Sequence, residues 1–149
     1  MRIALFQPDM AGNVGTILRL AACFGTPVDI IEPCGFAFGE RALKRAAMDY
    51  AAQASVSRHA DWDRFLASVR GRMVLLSTKG ERTVANVGFR SDDILLLGSE
   101  SAGAPDFVHR AVDMVARIPM QRGFRSLNVA IAAGIALHEA MRQTGSLPI

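Results

Sequence analysis

The stretch that decides the fold covers residues 114–141 and reads MVARIPMQRGFRSLNVAIAAGIALHEAM. Its first five residues form a short apolar run, a polar loop follows, and residues 127–143 have helical spacing. The helix is apolar almost all round from Val129 to Met141, and such a helix must be buried on every side. One face can cover a sheet, so we expect the other to pack on a second subunit, giving a homodimer. A central helix inside a monomer is the alternative.

The same order of apolar run, loop and helix extends over the rest of the chain. Apolar runs typical of strands buried on both faces lie at 3–6, 28–31, 73–76, 94–97 and 114–118, with a weaker candidate strand at 54–56. Helical spacing lies at 14–24, 40–50, 62–69, 106–110 and 127–143. This alternation predicts an α/β fold with a mostly parallel sheet and helices on both faces. Ligands of such sheets bind beyond the carboxyl ends of the strands, so we expect the site in the loops after Phe6, Leu76, Leu97 and Ile118.

Composition places the chain among globular proteins. It has 149 residues, of which 50% are hydrophobic and 21% charged, and we expect one domain over 1–149. Lys44 and Lys79 are the only lysines, so most of the positive charge is arginine, and the net charge is +3. The planar guanidinium matches phosphate, which favours a nucleic-acid partner over the alternative of an ordinary solvated surface.

Targeting and metal-binding signals are missing from the sequence. Residues 1–9 lack the basic region and long apolar stretch of a secretory signal, and no segment is long enough to span a membrane, so we expect a cytoplasmic protein. Cys23 and Cys34 occur without any CxxC pair, and we interpret both as buried small hydrophobic residues. His59 and His109 are interpreted as surface residues, and no metal site is expected.

The first segment that carries chemistry is Asn13 to Arg19, directly after the first apolar run. Asn13 is a suitable N-cap for the following helix. Arg19 follows Gly15 by four residues, so both lie on the same side of a helix and the glycine leaves the guanidinium free. A contact to phosphate or ribose is one interpretation. A generic nucleotide fold with a solvated Arg19 is the other.

The second segment, GSESAG at 98–103, follows another apolar run. Gly98 and Gly103 let the backbone approach a ligand closely. The segment is neither a Walker loop nor a GxGxxG dinucleotide loop. Glu100 carries its only charge, and capping of the helix near Pro105 is the alternative role for that carboxylate.

The third segment is the loop that leads into the final helix. Ser126 is predicted to cap this helix, whose free N-terminal amides suit a polar ligand group.

In this order, the NxGxxxR segment, the GSESAG loop and the IPM…RSLN segment resemble the SPOUT family of RNA methyltransferases over essentially the whole chain. The resemblance implies a deep trefoil knot near the carboxyl end, S-adenosylmethionine (SAM) as cofactor without a metal, and a tRNA substrate. It implies catalytic roles for Asn13, Arg19, Ser126 and Asn128. It implies RNA contacts by Arg19 and Arg125, and a cofactor site made of Leu76, Gly98, Glu100, Gly103, Ile118, Ser126 and Leu127.

Within that family, the stretches IIEPCGFAF (30–38) and KRAAMDY (44–50) look like the TrmL (YibK-like) group. That resemblance implies 2′-O-methylation of the wobble nucleotide, position 34, of leucine tRNAs. A SPOUT enzyme acting on another tRNA or rRNA nucleotide, and a non-catalytic RNA- or nucleotide-binding module, are the alternatives. Two positions depart from the family pattern: Ala130 stands where a serine is usual, and His138 where a tyrosine is usual.

Overall fold

A seven-stranded sheet forms the centre of the computed structural model, which describes residues 1–37, 39, 41, 45 and 48–149. The strands are β1 (Arg2–Phe6), β2 (Val28–Ile31), β3 (Val56–His59), β4 (Met73–Leu76), β5 (Arg82–Thr83), β6 (Ile94–Leu97) and β7 (Met114–Arg117). Their order is β3-β2-β1-β6-β4-β7-β5, and every pairing among these strands is parallel. The predicted parallel sheet is confirmed, although the candidate strand at 54–56 was placed two residues too early.

The described part of the chain also has four α-helices: α1 (Ala11–Cys23), α2 (Trp62–Ser68), α3 (Asp106–Ala111) and α4 (Val129–Thr144). The first three lie between strands, and α4 follows β7. The helix predicted over 40–50 lies mostly outside the described residues, and its last residues belong to a 3-10 helix at Met48–Gln53. A second 3-10 turn covers Val84–Asn86. None of the helices in the described ranges is long and apolar enough to cross a membrane.

Alternating side chains divide the core between the two faces of the sheet. In β1, Ile3 and Leu5 pack in one cluster with residues of α1 and α4. Ala4 and Phe6 point the other way and pack with Phe65 of α2 and Val108 of α3. Because side chains alternate along a strand, this division follows from a strand that is apolar at every position. The expectation of helices on both faces is confirmed.

Strand order brings the predicted site loops together. β1, β6, β4 and β7 are consecutive neighbours and run in parallel, so the loops that follow them emerge side by side at one edge of the sheet. These are the loops after Phe6, Leu97, Leu76 and Arg117. Strand order alone does not trace how the chain threads, so the trefoil knot stays a prediction.

Two interpretations of isolated residues are wrong. His59 is buried, and its Nε2 lies 2.8 Å from Oδ1 of Asp29. The Asp29 side chain is 0% exposed, and its Oδ2 accepts from Nε of Arg2 at 2.7 Å. The neighbouring strand supplies this partner, so the sequence around His59 gives no sign of it. Cys23 ends α1 and is exposed, while Cys34 is half-buried and burial raises the pKa of its thiol to about 11.

Candidate functional site

A pocket of about 450 Å³ lies at the carboxyl edge of the sheet, where the four loops meet. That volume is typical of sites for small molecules and cofactors. Its apolar walls are Leu76, Leu97, Ile118, Leu127 and Val129. Polar side chains also line it, namely Asn13, Ser77, Thr78, Ser99, Glu100, Ser126 and Asn128. The pocket therefore combines walls that can hold a flat apolar ring with side chains that can bind hydroxyl or amino groups.

Most of the predicted site residues come together in this pocket. It contains Asn13, Leu76, Gly98, Glu100, Gly103, Ile118, Ser126, Leu127 and Asn128. Arg19 and Arg125 are exposed and do not line it, although Arg125 precedes a lining residue. Met10, Met120 and Ala132 also line the pocket and were missed, because only the strand order shows that their segments meet there.

A relay of side-chain hydrogen bonds joins three segments at the pocket. Nδ2 of Asn13 donates to Oε1 of Glu100 at 3.2 Å. Nδ2 of Asn128 in turn donates to Oδ1 of Asn13 at 3.0 Å. Oδ1 of Asn128 accepts from the backbone N–H groups of Ala130 at 2.9 Å and Ile131 at 3.3 Å. Asn13, Glu100 and Asn128, which are far apart in the sequence, thus belong to one chain of hydrogen bonds. We call this chain the amide relay.

Two predicted helix caps are corrected by this relay. Helix α1 begins at Ala11, so Asn13 lies in its first turn rather than at its N-cap, and its side chain reaches Glu100 instead. Helix α4 is capped by Asn128 and not by Ser126. Helix α1 has Met10 at its N-cap and no side-chain cap, whereas at α4 two cap-forming residues lie close together and the second of them is used.

The two ends of the amide relay fix its direction. The backbone N–H groups at the start of α4 can only donate, and at the other end Oε1 of Glu100 is the acceptor. With donors at one end and an acceptor at the other, each asparagine amide has a single satisfied orientation. Nδ2 of Asn13 must face Glu100, and its Oδ1 must face Asn128. The amide groups at the pocket wall are therefore preoriented before any ligand binds.

Close backbone contact shapes the GSESAG loop. A Cβ atom added at Gly98 would lie 2.4 Å from the carbonyl carbon of Gly103, so no larger residue fits without backbone movement. Ser99 and Gly103 exchange two backbone hydrogen bonds, of 3.2 and 2.9 Å. The loop thus closes on itself directly after β6, and Gly98, Ser99, Glu100 and Gly103 all line the pocket.

Arg19 lies outside the pocket of its own chain. Asn13 and Arg19 are six residues apart, which corresponds to roughly 9 Å along a helix. The Arg19 guanidinium lies over the ring of Tyr50, 5.0 Å from its centroid. Gly15 and Arg19 both lie in α1, where Gly15 is buried and Arg19 is exposed, so the backbone at Gly15 is not open to solvent. Leu20, next to Arg19, contacts α4 near Gly134.

Comparison with known proteins places this geometry in a family. The model of the SpoU rRNA Methylase family matches residues 1–138. The chain belongs to the SpoU rRNA methylase family. A solved structure described as "Structural insights into the 2-OH methylation of C/U34 on tRNA" is similar, with a TM-score of 0.91 and 38% identity over 95% of this chain and 94% of that chain. The SPOUT-type fold expected from the three motifs is confirmed by this likeness.

Two further proteins are similar over most of this chain. A protein of Beijerinckia indica named tRNA (cytidine(34)-2′-O)-methyltransferase is 49% identical over 148 residues, covering 97% of this chain and 92% of that protein. An AdoMet-bound rRNA methyltransferase from Sinorhizobium meliloti is 30% identical with a TM-score of 0.83, over 95% of this chain and 55% of that chain.

Two carboxyl groups meet at the edge of this SpoU-family pocket. The backbone N–H of Asp9 donates to Oε2 of Glu100 at 2.9 Å, which brings the two residues together. Burial, followed by the neighbouring Asp9 carboxyl, raises the pKa of Glu100. The hydrogen bond from Glu100 and those from Ser101 lower the pKa of Asp9. Of the two groups, Glu100 is therefore the one that is protonated first as pH falls.

The Glu100→Gln variant is expected to gain stability relative to wild type as pH rises. Folding favours the protonated form of a carboxyl group whose pKa is raised, so Glu100's contribution is complete below its ordinary pKa and is lost as pH rises through its raised value. Asp9 acts in the opposite direction but only below about pH 4, so the range above it reports on Glu100.

Urea unfolding of both proteins at a series of pH values measures this difference in the free energy of unfolding. Glu81→Gln, which changes an exposed glutamate, is the matched control. A difference between wild type and Glu100→Gln that does not change with pH would show that the Glu100 carboxyl titrates normally.

Proposed function

We propose that this chain transfers a methyl group from SAM to the ribose 2′-hydroxyl of nucleotide 34, the wobble position, of tRNA. The pocket at the carboxyl edge of the sheet, with its preoriented amide relay, is the observation that carries the proposal. The Beijerinckia relative is named for 2′-O-methylation at cytidine 34 of tRNA, and the likeness extends over the whole pocket. Leucine tRNAs, which the resemblance to the TrmL group implies, are the proposed substrates within this class.

The pocket has the features that a SAM molecule requires. Gly98, which has no side chain, lines the pocket and lets a ligand approach the backbone closely. Leu76, Ile118 and Leu127 provide apolar surfaces on which an adenine ring can pack, and their backbone groups can bind its edge. Gly103, Glu100 and Ser126 lie at the same pocket and supply polar contacts. The Sinorhizobium relative, which holds AdoMet, supports this assignment. Among the described residues, no three His, Cys, Asp or Glu side chains are grouped to hold a metal ion.

The chain's own residues have two tasks in this reaction. Bound SAM would supply a methyl group on a cationic sulfur. A hydroxyl oxygen can attack the methyl carbon in line, and the sulfur is then the neutral leaving group. The protein must align that hydroxyl and manage its proton. Asn13 and Asn128 are assigned to holding the ribose, because their amides line the pocket in fixed orientations, and Ser126 is assigned with them as a neighbouring lining residue.

Arg19 is assigned to the RNA side of the site. A guanidinium that stays protonated is a poor base, so its effective roles are to stabilise the developing alkoxide or to bind a phosphate. Arg125 is exposed beside Ser126 and is assigned to a second phosphate contact. We expect such a complex to form in the cytoplasm, where tRNA is found.

A homodimer explains how Arg19 reaches a site that it does not line. Ile131 and Ile135 are 56% and 41% exposed and lie with His138 along one outward stripe of α4. Large apolar side chains exposed in this way favour burial against another chain. The contact of Leu20 near Gly134 places the Arg19 turn beside this stripe. A second copy docked on the stripe would meet Arg19, which could then complete the partner's pocket.

A different RNA target is the second candidate, since the matching family is described by rRNA methylation. The decisive experiment incubates the protein with labelled SAM and bulk tRNA and maps the labelled nucleotide. We expect label on the ribose of nucleotide 34. Label at another nucleotide, or only on rRNA supplied in parallel, would contradict the proposed target, and binding of SAM without transfer to any RNA would contradict the proposed reaction.

Arg19→Ala is expected to reduce turnover on tRNA by at least about 100-fold, because a group that stabilises developing charge is removed. The affinity for SAM, measured by calorimetry, should stay within about twofold, since Arg19 does not line the pocket. Arg64→Ala, on the opposite face of the sheet, is the matched control for loss of one exposed arginine. An equal loss of SAM affinity in Arg19→Ala would refute the RNA-side role.

Ile131→Glu combined with Ile135→Glu is expected to produce a monomer, because two carboxylates would be buried at the proposed interface. Sedimentation velocity should show a dimer for wild type and for Ile149→Glu, in which an exposed terminal isoleucine is changed. The monomer should also lose turnover, since Arg19 would no longer reach the partner's pocket. A monomeric wild type, or a double variant that remains dimeric, would contradict the interface.

A further inference from the structure

The segment between β1 and α1 contains a residue that no motif includes, namely Asp9. The chain leaves β1 through Gln7, whose φ of 45° lies in the left-handed region that non-glycine residues rarely adopt. The N–H of Gln7 is held by the carbonyl of Ile31 at 2.9 Å. Backbone in this region is retained only where surrounding contacts hold it. The position of Asp9 is therefore imposed by the fold and is not the relaxed path of a loop.

Asp9 is bound to the GSESAG loop at three points. Its backbone N–H donates to Oε2 of Glu100 at 2.9 Å. Its Oδ2 accepts from the backbone N–H of Ser101 at 3.3 Å and from the Ser101 hydroxyl. Backbone and side chain of one residue thus hold both Glu100 and its neighbour.

A third segment fixes Asp9 from behind. The N–H of Gly35 donates to the carbonyl of Pro8 at 3.0 Å. A Cβ atom added at Gly35 would lie 2.5 Å from Cβ and 2.8 Å from Cα of Asp9, so the two backbones are in direct contact. Asp9 is enclosed between the loop after β2 and the loop after β6.

We propose that Asp9 is a positioning residue for the methyl-transfer site, which holds the Glu100 carboxyl in the orientation that fixes the amides of Asn13 and Asn128. The inference rests on the proposed function, which assigns those two amides to the ribose. Glu100 accepts from the backbone N–H of Asp9 with Oε2 and from Asn13 with Oε1. Substitutions at Asp9 keep that N–H, so they test the contribution of the Asp9 carboxyl group alone. If the Glu100 side chain rotated away from Asp9, Nδ2 of Asn13 would lose its acceptor, and the amide relay would no longer have a fixed direction.

The unpaired oxygen of Asp9 indicates how the two carboxyl groups are joined. Oδ1 of Asp9 is buried and has no hydrogen-bond partner among the described residues when both groups are ionised. A proton on Glu100 provides that partner, because the Glu100 hydroxyl can then donate to Asp9. The pair carries one proton and a single negative charge in this state, and its two side chains attract rather than repel each other. The raised pKa of Glu100 agrees with this arrangement.

The cofactor side of the loop does not depend on Asp9. Ser99 and Gly103 close the loop through their own backbone hydrogen bonds, and the Ser99 hydroxyl also accepts from the N–H of Ala102 at 3.2 Å. Gly98 therefore keeps its place when Asp9 is removed. Loss of Asp9 should affect the alignment of the acceptor sugar and leave cofactor binding nearly unchanged.

Asp9→Ala and Asp9→Asn separate positioning from folding. In Asp9→Ala, kcat on tRNA should fall about ten- to hundredfold, the loss typical of a small misalignment, while SAM affinity stays within about threefold. Asp9→Asn should recover kcat to within about threefold, since its amide can accept from Ser101 and donate to Glu100. Ser101→Ala, which removes one Asp9 contact and leaves Glu100 in place, should also stay within about threefold of wild type.

Side-chain amide NMR provides a readout that does not depend on turnover. The Asn128 Nδ2 resonances should shift or broaden in Asp9→Ala and return to the wild-type position in Asp9→Asn. Equal kcat values for the two Asp9 variants, together with unmoved Asn128 resonances, would overturn the proposal. So would a loss in Ser101→Ala as large as that in Asp9→Ala. Failure of wild type to methylate nucleotide 34 would contradict the proposed function instead, and the NMR comparison would still test Asp9.

Discussion

The hydrogen bond from Nδ2 of Asn13 to Oε1 of Glu100, 3.2 Å long, is the contact on which the site depends. It joins the first helix to the loop after β6, and through Asn128 it continues to the start of α4. These segments are far apart in sequence, and only the parallel order β1-β6-β4-β7 brings their ends together. The fold thus supplies proximity, while the amide relay supplies orientation.

Orientation matters here because the proposed reaction is an in-line displacement, whose rate depends on alignment of the reacting atoms. A methyl group on a cationic sulfur is already reactive, so the largest contribution of the enzyme is to hold oxygen, methyl and sulfur in line. The amides of Asn13 and Asn128 have one satisfied orientation each, set by a carboxyl group at one end and helix N–H groups at the other. Because these two side chains are already ordered, less conformational entropy is lost when the substrates bind.

The sheet and the general position of the pocket could be predicted from the sequence. Runs such as Ile94–Leu97 are apolar at every position, which indicates a strand covered on both faces, and parallel strands place their loops at one edge. The two-residue strand Arg82–Thr83 was not predicted, because a pair of polar residues carries no periodic pattern.

The details of the site depended on partners that the sequence does not display. Asn13 has the composition of an N-cap, yet its side chain binds Glu100 from a distant loop. His59 looks solvated until β2 brings the buried Asp29 beside it. Arg19 and Gly15 share a helix spacing, but the packing of α1 buries one and exposes the other. In each case the local sequence pattern was read correctly, but packing against distant parts of the chain determined where the side chain lies.

A crystal structure with S-adenosylhomocysteine would show whether the cofactor binds in the pocket at the carboxyl edge of the sheet. We expect the adenosine to lie between Leu76, Ile118 and Leu127 at the carboxyl edge of the sheet, with Asn13 and Asn128 still hydrogen-bonded to each other beside it. A molecule bound at any other surface, or an Asn13–Asn128 pair that separates to admit it, would contradict the account.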